Sequence, residues 1–288
     1  MSEYVIFTDS GCDIKPEVLK EWGVSYKCLT FKFEDDEKIY SNDDMPIGDF
    51  YNKMRAGGVA KTAAVNPEAF IGGFEDIVKE GKDILYLGFS SGLSTTFNSA
   101  RIAANTLLEK YPDRKIITVD TLAASAGQGM LVYFAMKKLG EGASIEENAE
   151  YIKGLVPKLD HWFTVDDLVY LKRGGRISAA AAFFGNMIGI KPVLHVDDEG
   201  HLVPVSKVRG RKTAVSTLAD MYGELADDKE NGVVFISHAD CMNDVKLLES
   251  MLKERYGASL DVITDVGTVI GAHAGPGTLA LFFVGSKK

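Results

Sequence analysis

Cysteine is scarce in this 288-residue chain: Cys12, Cys28 and Cys241 lie far apart and form no C-x-x-C pair. That spacing signals neither a disulfide framework nor a cysteine zinc site, and it fits a reducing cytoplasm. The five histidines show no metal-ligand spacing, so a bound metal has no support. No run of about 18 apolar residues offers a transmembrane helix. The opening Met-Ser-Glu-Tyr-Val-Ile-Phe lacks the basic stretch and apolar core of a secretory signal. Basic charge is also in deficit. With 32 Lys and Arg against 41 Asp and Glu, the net charge of −9 argues against a duplex nucleic-acid surface or docking on an anionic membrane. One patch, Lys207-Val-Arg209-Gly-Arg211-Lys212, opposes that sign, and a solvated helix start accounts for it.

What is present is apolar content, 46% of residues, enough to bury a sizeable core, and a length that implies two domains. Tyr4–Phe7, Asp83–Leu87 and Lys115–Val119 are short apolar runs of the kind buried in parallel sheets, and helical patterns separate the last two and follow them. Phe97, Ala100, Ala104, Leu107 and Leu108 fall on one stripe of a helix that ends at Tyr111-Pro112. Ser25–Phe33 alternates in the antiparallel manner and meets a polar turn, which predicts a small hairpin near 25–40. Asn66 and Pro67 start a helix to Glu80, and two further helices are expected from Ala123 to about Gly140 and from Ser144 to about Lys158.

Beyond that point the texture changes to alternating strands, around His161–Val165, Lys191–Val196 and Leu202–Val208. A helix striped by Val215, Leu218 and Tyr222 follows, then strands near Val233–Ser237, Leu260–Thr264 and Leu279–Val284. The expected organisation is an α/β fold in two units, 1–160 with a parallel sheet and 161–288 with a mixed sheet.

Several segments carry candidate chemistry. Gly267-Thr-Val-Ile-Gly-Ala-His273-Ala-Gly-Pro-Gly277 holds four glycines and a proline in eleven positions, so His273 is expected in a turn-rich loop with Thr268 as its only polar companion. Thr8-Asp9-Ser10 ends a strand where open α/β sheets place ligands, although an Asx turn or a cap serves equally well. After Asp83–Leu87, the turn Ser90-Ser91-Gly-Leu-Ser94-Thr-Thr96 opens a helix, and its N–H groups and hydroxyls suit an anion. Ser94 also fits a plain N-cap. No phosphate-binding G-x-x-x-x-G-K-[ST] pattern is present. Gly88-Phe-Ser90-Ser91-Gly92 matches G-x-S-x-G at Ser90, which keeps a serine hydrolase or acyltransferase as the rival, with Ser90 or Ser91 as nucleophile, His273 as base and Asp265 as the nearest acid. Arg176, beside the Gly174-Gly175 pair, suits an acid, a phosphate or a domain interface.

Taken together, Thr8-Asp9-Ser10, Lys61-Thr62, Ser90–Ser94, Val119-Asp-Thr121 through Gly127-Gln-Gly129, Val165–Leu168 with Arg173–Ser178, Lys191-Pro192, Lys207-Val-Arg209 and Gly271–Gly277 resemble the DegV family over essentially the whole chain. The resemblance implies a two-domain carrier, not an enzyme in itself. Such a carrier would hold one long-chain fatty acid between its domains and present the carboxylate to a separate ATP-dependent fatty-acid kinase for acyl-phosphate formation. On that analogy Thr62 with Ser91 or Ser94 would bind the carboxylate and His273 would stand beside it. Phe163, Phe184, Met187, Ile188 and Arg176 become tunnel or interface candidates, and Arg209 a candidate for docking the kinase. No cofactor is implied beyond the fatty acid. Neutral donors would then hold the head group without a tight ion pair. Two departures concern the mouth of the pocket: the family's Thr-Ser-Gln-Pro reads Thr62-Ala-Ala-Val65 here, and its Leu-Ser-Gly-Thr reads Leu93-Ser-Thr-Thr96. They bear on mouth shape and acyl selectivity, since the hydroxyl anchors remain.

Overall fold

The computed structural model describes residues 3–177 and 189–286. Its first sheet is wholly parallel, ordered β2-β1-β6-β7, from β1 (Tyr4–Asp9), β2 (Ser25–Lys27), β6 (Asp83–Gly88) and β7 (Ile116–Asp120). Every residue of β6 is buried, as expected of a central parallel strand covered on both faces. The covering helices are α1 (Pro16–Glu21), α3 (Pro67–Lys79), α4 (Thr96–Lys110), α5 (Ala126–Gly140) and α6 (Ile145–Leu155). Their starts follow sequence rules. Asn66 caps α3 by accepting from Ala69 N, and Ser144 forms a capping box with Glu147 at α6.

A second, antiparallel sheet joins β3 (Thr30–Phe33), β4 (Tyr40–Ser41) and β5 (Ala60–Ala63), with α2 (Ile47–Arg55) between the last two. The expected hairpin is present in β3 and β4, across the polar turn, but the run Ser25–Phe33 is not wholly one arm of it. Its first three residues extend the parallel sheet beside β1, and its last four cross into the small sheet, where Phe31 and Phe33 are buried against Phe50. Alternation alone does not reveal a strand that changes sheets.

The third sheet is mixed, ordered β10-β9-β8-β13-β11-β12, from β8 (Leu159–Thr164), β9 (Ile190–Val196), β10 (Leu202–Arg209), β11 (Val234–His238), β12 (Val262–Asp265) and β13 (Leu279–Val284). Only β11 and β12 run parallel. Helices α7 (Val169–Arg173), α8 (Arg211–Leu225), α9 (Met242–Tyr256) and α10 (Thr268–Ala274) complete the helices among the described residues. The basic patch is split here: Lys207 and Arg209 lie on β10, whereas Arg211 and the exposed Lys212 open helix α8. Far from being solvated, Arg211 is held by Asp244 at 3.0 Å and by Gly277 O at 2.6 Å.

The apolar cores bind the halves together. Helix α5 buries Met130, Leu131, Val132 and Ala135 in a cluster that includes Leu85 and Leu87 of the parallel sheet and Phe163, Phe235 and Phe282 of the mixed one. A second cluster joins Phe31, Phe50 and Tyr51 to Val266, Val269 and Ala272. The C-terminal helix α10 thus packs on the small sheet near the start of the chain, and this brings His273 to Thr62.

Candidate functional site

His273 does not lie in a loop. It occupies the last turn of α10, and the expected glycine-rich turn begins only at Gly275 and Gly277, with φ of 82° and 80°. A seven-residue helix with one internal glycine leaves too short a periodic signal to read. That glycine serves packing: a Cβ at Gly271 would collide with the hydroxyl of Tyr51, which donates to Val266 O at 2.6 Å. The glycines bring protein groups together, rather than backbone to ligand.

Thr62 lies on β5, opposite Phe31, in a strand whose Ala-Lys-Thr-Ala sequence gives no apolar signal. Its Oγ1 is 2.8 Å from His273 Nε2. Burial, and then the nearby Arg176 cation, push the His273 pKa down to about 4, so the imidazole is neutral near pH 7. Among the described residues Nδ1 has no hydrogen-bond partner, and it packs on Gly174, where any Cβ would strike it. A bare lone pair there costs less than a buried, unpaired N–H. The proton therefore belongs on Nε2, donating to Thr62, which leaves the Thr62 hydroxyl hydrogen for a ligand oxygen.

The Ser90–Thr95 turn stands opposite. Ser90 is fully buried, its hydroxyl donating to Gly200 O at 2.9 Å and accepting from Gly92 N at 3.2 Å. Ser91 is exposed at the rim, and its backbone N–H donates to Asp120. Ser94 accepts from Thr96 N and shares a hydrogen bond with the Thr96 hydroxyl at 2.9 Å. The N-cap position falls on Thr95 without a side-chain bond, so Ser94 serves the helix from one residue earlier.

Arg176 is half-buried, reaches Leu93 O through Nε at 3.4 Å and also contacts Gly174 O. Burial pulls its pKa down from the ordinary arginine value. The site consequently holds a cation, not neutral donors alone.

These groups line one cavity of about 510 Å³, within the roughly 300–1,000 Å³ range of small-molecule sites. Thr62, Ser91, Ser94, Arg176 and His273 are all on its wall, together with Phe163, Phe89, Leu171, Val266, Val269 and Phe282. Ala63, Ala64 and Thr95, the residues at the two departures from the family pattern, line it as well. Phe184, Met187 and Ile188 lie outside the described residues. Arg209 is exposed at the end of β10 and does not line the cavity.

The constellation of a serine hydrolase is not assembled. Among the described residues His273 bonds to Thr62 and to neither Ser90 nor Ser91, and Asp265 stands 3.7 Å from His238 and 3.9 Å from Lys15 instead. The first strand end is likewise structural: Asp9 accepts from Gly11 N, Tyr86 Oη and Phe89 N, and Ser10 accepts from Leu29 N. No group of three or more His, Cys, Asp or Glu suited to a metal occurs among the described residues, and no helix there is long and apolar enough to cross a membrane.

Two wall residues escape sequence reasoning. Ser125 and Ser237 line the cavity, and their hydroxyls lie 2.8 Å apart. Ser125 sits inside a recognised block, Val119–Gly129, but no local signal marks its φ of 54°.

The DegV family, described as an uncharacterised protein family, matches residues 3–286. A DegV domain-containing protein of Clostridium perfringens is 43% identical over 289 aligned residues, covering 100% of this chain and 99% of the relative. Among solved structures, a DegV family protein of Thermus thermophilus, described for its fatty-acid binding, is 29% identical with a TM-score of 0.89 and covers 99% of this chain and 100% of its own. A stearic acid-binding protein of Eubacterium ventriosum is 25% identical, with a TM-score of 0.86 and 98% coverage of both chains. This chain belongs to the DegV family.

Proposed function

We propose that this protein binds one long-chain fatty acid between its two halves, 1–160 and 161–288, and presents the carboxylate to a separate ATP-dependent kinase in the cytoplasm. The observation that carries the reading is the pairing of Thr62 with a neutral His273 at the wall of an otherwise largely apolar cavity. Burying a sixteen-carbon tail contributes on the order of 10 kcal/mol before association costs. The head group needs donors to compensate its lost water, and Thr62, Arg176 and a rim serine offer them. The fatty-acid binding of the Thermus and Eubacterium relatives supports the same ligand class.

In this reading the protein is a carrier. The exposed Ser91 side is where a phosphorylating partner reaches the carboxylate, and Arg209 contributes to docking that partner, since arginine suits a nucleotide-bearing enzyme. Organic extraction of the purified protein followed by mass spectrometry tests the first half: a stoichiometric long-chain acid is expected. Lipid-free protein that also fails to bind oleate overturns the reading, and an acylated serine favours the hydrolase. For the second half, Arg209→Ala should retain the acid and lose acyl-phosphate formation with the kinase. Equal loss of both contradicts the docking role.

A further inference from the structure

The cavity wall carries a second set of oxygens that the carboxylate site does not use. Ser125 and Ser237 are 5% and 0% exposed, and Ser125 Oγ lies 2.6 Å from Asp13 Oδ2 and 2.8 Å from Ser237 Oγ. Three side chains from distant parts of the sequence thus form one hydrogen-bonded chain, Asp13–Ser125–Ser237, whose last two members reach the cavity. Its backbone is strained at Ser125, whose φ of 54° with ψ of −145° lies in a region that non-glycine residues seldom adopt, whereas Asp13, with φ of 51° and ψ of 25°, takes a left-handed turn that aspartate tolerates. Such strain persists only where surrounding contacts over-determine it, and it concentrates at binding sites.

Counting hydrogens shows what the chain leaves unused. Asp13 is wholly buried, which pushes its pKa up to about 8, so the carboxyl is largely protonated near neutrality. Oδ1, beside Gly267, has no hydrogen-bond partner among the described residues, whereas Oδ2 meets Ser125 Oγ, so a proton on Oδ2 donates to Ser125. Ser125 then donates to Ser237, and among the described residues the Ser237 hydrogen has no acceptor. If Asp13 ionises, the order reverses and Ser237 keeps unused lone pairs instead. A hydroxyl group, at once donor and acceptor, satisfies either state.

Helix α10 sets the spacing. Gly267, at its start, lies beside Asp13, whereas His273 is six residues further on, roughly 9 Å along the axis at 1.5 Å per residue. Between these ends the helix offers Val269 and Ile270 to the cavity. Resting on the reading that the cavity holds an acyl chain headed at Thr62 and His273, we infer that Ser125 and Ser237 form a second polar station selecting fatty acids that carry a hydroxyl group part-way along the chain. A plain methylene against Ser237 would bury its unused hydrogen-bonding capacity, and a chain hydroxyl in register would complete it.

The test is competition between stearate and a series of mid-chain hydroxystearates for delipidated protein, with the retained acids extracted and quantified by mass spectrometry. At least one positional isomer should be retained about tenfold over stearate, as one added buried hydrogen bond implies. Ser237→Ala should bring that ratio to parity or below. Ser125→Gly, which suits the positive φ, should do the same and serves if the first variant does not fold. Equal retention of stearate and every isomer, or a preference that survives both variants, overturns the inference while leaving fatty-acid binding intact. Protein that takes up neither class overturns the fatty-acid reading and this inference with it.

Discussion

The turns after β1 and β6 stand side by side at the same end of the parallel sheet, and both end a buried strand in oxygen-bearing side chains. By position and composition each is a candidate ligand site. The hydrogen bonds separate them. After β1, Asp9 is spent on Gly11, Tyr86 and Phe89, and Ser10 on Leu29, all of them protein groups. After β6, Ser90 is spent in the same way on Gly200, but Ser91 stays exposed and Ser94 lines the cavity. In the proposed reading, residual capacity, rather than a count of oxygens, separates the turn that meets the ligand from the one that does not.

That contrast breaks most visibly through stability. Asp9→Ala strands three donors around a fully buried site and should cost on the order of 3–5 kcal/mol in denaturant unfolding, whereas Ser91→Ala should stay within about 0.5 kcal/mol. Equal costs would erase the distinction between the turns. The next effect in size is on affinity. Thr62→Val keeps the shape of the strand but removes the hydroxyl bonded to His273, and calorimetric titration with stearate should show about a tenfold weaker Kd with little change in melting temperature. Unchanged affinity would move the head group elsewhere.

A subtler sharpening comes from pH. The His273 ring titrates near 4 in the folded protein against 6.5 in the unfolded chain, so the unfolded state binds more protons between those values. Its contribution to stability is complete above pH 6.5 and is lost as pH falls toward 4. Asp13 runs the opposite way: its pKa of about 8 against 3.8 means that its contribution is complete below pH 3.8 and is lost as pH rises toward 8. In proton NMR the His273 titration should move upward when stearate is loaded, because a carboxylate favours the imidazolium. A midpoint indifferent to ligand would separate the ring from the head group. The smallest effect expected is that of Ser94→Ala, with its hydroxyl already shared with Thr96: a change in Kd of less than about threefold in the same titration.

Much of the architecture was legible because it is local. The buried runs of β1, β6 and β7, the Asn66 cap with Pro67 and the Ser144 capping box each announce themselves within a few residues. What stayed hidden depends on partners distant in sequence. Thr62 meets His273 across 211 positions, and neither the apolar-poor β5 nor the two-turn α10 carries a periodic signal of its own. Family resemblance placed those residues in one site where spacing could not. It did not reach Ser125 and Ser237, whose pairing follows from tertiary packing and a backbone conformation that no composition rule favours for serine.

The central claim is the position and direction of the bound acid, and a crystal structure of stearate-loaded protein tests it most directly. A carboxylate oxygen within hydrogen-bonding distance of Thr62 Oγ1, with Arg176 alongside and the tail running past Val269 and Phe282, is the predicted result. A chain lying the other way, with its carboxylate on Ser125 and Ser237 and its methyl end at Thr62, would contradict it.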